Sequence, residues 1–149
     1  MTQESMSSPE HLTDQDYSRL LAFRAGLRRF LRWSEQRAAD AGLTAAQHQL
    51  LLAIRGHGDP AGPSIGEIAE YLSARHHSVV QLTDRAEQLG LVARNRAEGK
   101  DRRVVRLALT ETGSQTLARL TATHLEELQR LAPLVDALAD PATATPQIG

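Results

Sequence analysis

Phosphate-binding and base-reading groups crowd into one stretch of this chain, Ser73 to Arg106. It holds seven Arg and one Lys against four acids, a net of +4. The remaining residues carry nine bases and fourteen acids, a net of −5, so the overall charge of −1 hides a strong asymmetry. A basic helix followed by a basic hairpin suits a protein that lies along a phosphate backbone. Arg75, His76, His77, Ser78 and Gln81 fall on the first turns of the expected helix. Val79, Leu82, Ala86 and Leu89 fall on its opposite, apolar face. An Arg can bond guanine and a Gln adenine, each bidentate pair giving about 1–3 kcal/mol of discrimination. Further along, Arg94, Arg96, Lys100, Arg102 and Arg103 surround Asp101. Arginine is the side chain that enters narrow minor grooves. Arg103 or Arg102 suits that role, and Asp101 can hold a neighbouring guanidinium by a charged hydrogen bond.

Other chemistries find little support. The chain has no cysteine, which excludes disulfides, Cys-based zinc sites and thiol redox sensing. No Rossmann, P-loop or metalloprotease spacing occurs. No nucleophile–base pair or paired carboxylates stand out, so no catalytic residue, enzyme activity or cofactor is expected. His76 and His77 are adjacent, and neighbours on a helix do not point at one ion; no metal ligand is assigned. No run of 18 apolar residues exists, so no membrane span is expected. The polar N-terminus lacks a secretory pattern, and a cytoplasmic location follows as the default.

The elements that must position these groups are mostly helices. Residues 1–12 read as disordered. Leu20, Phe23, Leu27 and Phe30 place a long helix over about 13–40, with Gly42 as its stop. Thr44 with Gln47, and Ser64 with Glu67, form capping boxes that open a second and a third helix. The second has Leu50, Leu51 and Ile54 as its apolar face; the third has Ile65, Ile68, Ala69 and Leu72. A tight turn at Ser73–Ala74 leads to the basic fourth helix, which Gly90 ends. Strands over 91–96 and 103–109 flank the loop Ala97–Arg102. Thr110 caps a fifth helix striped by Leu117, Leu120, His124, Leu128 and Leu131. Pro133 should break it, leaving a short sixth helix to Ala139, and residues 140–149 read as a loose tail.

The fold class is therefore mainly α with a small β-hairpin. It is a winged helix-turn-helix over about 44–109, plus a helical dimerisation region over about 13–41 and 110–139. The terminal helices are longer than one small lobe needs, and their apolar faces call for a partner. A two-fold dimer sets two reading helices about 34–36 Å apart, which matches an inverted repeat in double-stranded DNA.

Over about 13–139 the pattern resembles the multiple antibiotic resistance regulator (MarR) family. The segments LTAAQHQLLLAI, SIGEIAEYL and RHHSVVQLTDRAEQLGLVAR carry the resemblance, with the D-x-R of Asp101 and Arg103 running into Leu109–Thr110. The resemblance implies a homodimeric transcriptional regulator, usually a repressor, with Arg103 in the minor groove and Asp101 supporting it. It also implies a small aromatic or anionic effector, for which Phe30, Trp33, His48 and Arg55 are the candidate liners. Two alternatives stay open: a metal-responsive regulator of the same fold, and a winged-helix module that binds protein.

Overall fold

The computed structural model describes residues 8–96 and 104–139. They form five α-helices and one antiparallel hairpin. The chain divides into two compact units, one over Ser34–His124, the other from the residues up to Trp33 together with those from Leu125 onward.

The unit over Ser34–His124 begins with the end of helix α1 (Asp14–Asp40). Leu43 donates its N–H to Ala38, and Gly42 donates to Ala39. Helices α2 (Ala45–Gly56) and α3 (Ile65–Leu72) both open on the expected capping boxes. Thr44 Oγ1 accepts from the Gln47 N–H at 3.1 Å, and Gln47 Oε1 accepts from the Thr44 N–H at 2.9 Å. Ser64 and Glu67 repeat the exchange at 3.2 Å in both directions. Each box is worth about 1 kcal/mol.

Helix α3 ends on Ser73, which sits in the left-handed region at φ 49°, ψ 43°. The Ala74 N–H reaches back to Ala69 O at 3.0 Å and closes a tight turn. Helix α4 (His76–Gln88) follows two residues later. It ends in the 6→1 and 5→2 pairing of a Schellman motif: Leu91 donates to Ala86, Gly90 to Glu87, both at 3.0 Å. Gly90 takes φ +73°, which only glycine adopts without strain. Leu91 then packs inward, 6 % exposed.

Strands β1 (Val92–Arg96) and β2 (Val105–Leu109) pair with Val92 opposite Leu109 and Arg96 opposite Val105. The loop expected at Ala97–Arg102, and Arg103, lie outside the described residues. A one-residue bridge from Ser64 to Arg106 extends the sheet on the far side of β2. Leu50, Leu51, Ile68, Val79, Ala86 and Leu107 are fully or almost fully buried where these elements meet. Each large apolar side chain so buried contributes about 1.5–3 kcal/mol.

Helix α5 runs from Glu111 to Ala139. Thr110 caps it by accepting from the Gly113 N–H at 3.1 Å, while its own hydroxyl donates to Gly90 O. A Cβ added to Gly113 would lie 2.1 Å from Leu91 O, so the first turn of α5 rests directly on backbone.

Two expectations are corrected here. Pro133 lies inside α5, and among the described residues no sixth helix follows it. A proline forfeits one hydrogen bond and crowds the carbonyl four residues earlier. A helix already propagated over many turns crosses that defect instead of paying for a new nucleus. In the N-terminal stretch read as disordered, Pro9–His11 form a 3-10 turn. Thr13 and Asp16 then exchange hydrogen bonds across the first turn of α1.

In the other unit, α1 leaves Tyr17, Leu20, Leu21, Phe23, Leu27 and Leu31 exposed. Leu125, Leu128 and Val135 of α5 are exposed likewise.

Candidate nucleic-acid interface

Helix α4 is anchored on one side and presented on the other. Val79, Thr83 and Ala86 are 0–1 % exposed, and Leu82 packs beside them half-buried. Thr83 takes the place expected of an apolar residue, because its hydroxyl donates to Val79 O at 2.7 Å and needs no outside partner. Leu89, expected on the inner face, is 56 % exposed. The buried stripe is thus Val79, Thr83, Ala86, the i, i+4, i+7 row.

The opposite edge carries the expected reading residues. Arg75, His76, His77, Ser78 and Gln81 are all exposed. None of their side chains bonds another described residue. Arg75 occupies the N-cap position and supplies no side-chain acceptor to the first turn. The turn's free N–H groups therefore point at solvent from the positive end of the helix, a natural seat for a phosphate.

The cationic hairpin is described only in part. Lys100, Asp101, Arg102 and Arg103 lie outside the described residues, and of Arg96 only the backbone is described. Arg94 is engaged: its guanidinium meets Asp84 and, at 3.5 Å, Glu87, both on α4. Arg106, which the sequence reading counted only as charge, bonds Gly62 O and Glu67 Oε1, each at 3.1 Å. Glu67 Oε2 also faces His57 Nε2 at 3.2 Å, and His57 Nδ1 lies 2.9 Å from the Tyr71 hydroxyl. The Ser64 backbone N–H, the largest influence, holds the Glu67 carboxyl below its ordinary range despite some desolvation; Ser64 Oγ, His57 and Arg106 assist.

The four candidate effector residues fall in different surroundings. Phe30 and Trp33 stack with ring centroids 5.9 Å apart. His48 is buried on α2, its ring 4.8 Å from that of His124. His124 Nδ1 donates to Leu120 O at 2.7 Å, and its Nε2 lies 2.6 Å from Ser34 Oγ. Arg55 lines an open cleft of about 560 Å³ together with His57, Asn95, Leu107 and Ser114. Among the described residues no three His, Asp or Glu side chains converge as a metal site would require. No described helix is long and apolar enough to cross a membrane.

Burial of His48, assisted by the nearby His124, pushes its pKa below the ordinary 6.5. The folded state then binds a proton less readily than the unfolded chain. The stabilisation is complete above the unfolded value and drains away as pH falls from about 6.5 toward the folded one. Thermal melts should show a lower Tm at about pH 5.5 than at 7.5, and His48→Gln should flatten that slope. An equal slope in both proteins would contradict the assignment. Glu67 acts in a separate, more acidic window, since its depressed carboxyl loses its contribution only as pH falls below its ordinary value of 4.5.

Two short helices across a left-handed turn, followed by a hairpin, define a winged helix-turn-helix. Residues 41–103 match the sequence profile of the MarR family. The chain is 39 % identical over 72 residues to the HTH-type transcriptional repressor MdtR of Bacillus subtilis, a match spanning 48 % of this chain and 44 % of that protein. It is 32 % identical over 84 residues to the HTH-type transcriptional regulator PecS of Dickeya dadantii, spanning 56 % and 50 %. The chain thus matches about half the length of these relatives. Its fold is shared with the crystal structure of the YusO protein from Bacillus subtilis, at TM-score 0.62 and 28 % identity, over 86 % of this chain and 97 % of that one.

Proposed function

We propose that this protein is a sequence-specific double-stranded DNA-binding regulator of transcription, a homodimeric repressor acting on an inverted repeat. The observation that carries the proposal is the presented edge of α4. Arg75, His76, His77, Ser78 and Gln81 stand in solvent while Val79, Thr83 and Ala86 bury the reverse side. The similarity over 72 residues to a transcriptional repressor, and over 84 to a transcriptional regulator, supports the same reading. The cations Arg96, Lys100, Arg102 and Arg103, with Arg103 foremost and Asp101 supporting it, complete the contact to the minor groove. The exposed apolar faces of α1 and α5 are the surface a second copy would cover. Release by a small aromatic or anionic effector belongs to the same proposal, with Phe30, Trp33, His48 and Arg55 the residues to probe.

The test is a gel shift on the DNA flanking the protein's own gene. Arg103→Ala should lose most of the affinity and leave the thermal unfolding curve in place. An unchanged affinity would remove the hairpin from the interface. Failure of the wild type to shift any duplex, with capture of a protein instead, would favour the protein-binding module.

A further inference from the structure

We propose that Arg94 and Arg106 are positioning residues that latch the hairpin to the reading head, one strand to each helix, and do not themselves contact phosphate. The inference rests on the DNA-binding reading above.

The register places the two arginines on neighbouring rungs, Arg94 opposite Leu107 and Arg106 opposite Asn95. They reach different helices. From β1, Arg94 meets Asp84 and Glu87 of α4. From β2, Arg106 meets Glu67 of α3 and the Gly62 carbonyl that precedes it. Both acceptors for Arg106 are themselves fixed. Glu67 Oε1 accepts from the Ser64 N–H in the capping box, and its Oε2 is steadied by His57, which Tyr71 holds in turn. The Ser64–Arg106 bridge and the Leu107 N–H to Pro63 O bond, 2.9 Å, bring the strand to the same place.

Each guanidinium commits two of its five N–H donors to these partners, and the carboxylates set against it offset the charge that would draw a phosphate. These pairs are also partly exposed, with side-chain exposures of 27–49 %. Exposed pairs add little to stability. Their consequence is geometric: they decide where the strands leading into residues 97–103 stand relative to α4.

The distinguishing test is the sign of an effect. Removing a carboxylate from a DNA-binding surface ordinarily strengthens binding, because the phosphates are no longer repelled. The latch requires the reverse. Asp84→Asn and Glu67→Gln should each weaken binding to a mixed-sequence duplex several-fold, with the slope of log affinity against log salt unchanged. Gln retains the oxygen that closes the α3 capping box, so Glu67→Gln tests the charge alone. Arg94→Gln, Asp84→Asn and the double variant should lose the same affinity, a non-additive cycle. Tighter binding by Asp84→Asn, additive losses, or a slope reduced by about one per arginine removed would overturn the proposal. Hydrogen exchange of the β1 and β2 amides, read without DNA, should quicken in Asp84→Asn and Glu67→Gln while α2 is unaffected. If the wild type binds no duplex, the DNA reading falls, and unchanged exchange would overturn the latch on its own.

Discussion

Gly113→Ala should destabilise the protein sharply, against the direction that helix propensity sets. Gly113 lies in the first turn of α5, and an alanine inside a helix is ordinarily better than a glycine by about 1 kcal/mol. Here the added Cβ would lie 2.1 Å from Leu91 O, 3.0 Å from its carbonyl carbon and 3.3 Å from its Cα. The obstruction is backbone, so no rotamer change can relieve it. Leu91 is also constrained: its N–H closes the Schellman motif on Ala86, its carbonyl accepts from the Thr110 N–H, and its side chain is buried. Forcing an extra methyl into a filled site costs about 1–3 kcal/mol. An immovable neighbour places this case at the upper end, a fall in Tm of about 10 °C for a chain of this size. Thermal unfolding followed by circular dichroism measures it. A Tm equal to or above that of the wild type would mean that α5 does not start against Leu91.

The largest functional effect concerns salt. If two reading heads and two hairpins neutralise about six phosphates, duplex affinity should fall on the order of a thousandfold between about 50 and 200 mM monovalent salt. The net charge of −1 gives no hint of this, since the attraction comes from the block that carries +4. Fluorescence anisotropy against a labelled duplex across that range supplies the slope. An affinity indifferent to salt would mean that the basic block does not face phosphate. A slope nearer one than five would mean that only a small part of it does.

What the sequence made legible was the structure settled within a few residues. The capping boxes at Thr44–Gln47 and Ser64–Glu67, and the Gly90 stop, each close through bonds spanning three to five positions, so spacing and residue type suffice. The exposed edge of α4 follows from the same periodicity. Misreadings arose where a distant or unusual partner decides. Thr83 is buried because one hydroxyl finds a carbonyl four residues back, while Leu89 stays outside. Pro133 is tolerated because cooperativity outweighs one lost bond. Arg94 reads from sequence as a hairpin contact to DNA and Arg106 simply as positive charge, yet their partners lie ten and thirty-nine residues away. The pairing of His48 with His124, and of His124 with Ser34 ninety residues earlier, has no signature in local spacing.

Thr110 carries a consequence of its own. Its hydroxyl and amide join the end of the reading helix, the root of the hairpin and the first turn of α5 at one junction. Loosening this one residue would therefore slacken the helix end, the hairpin root and the start of α5 together.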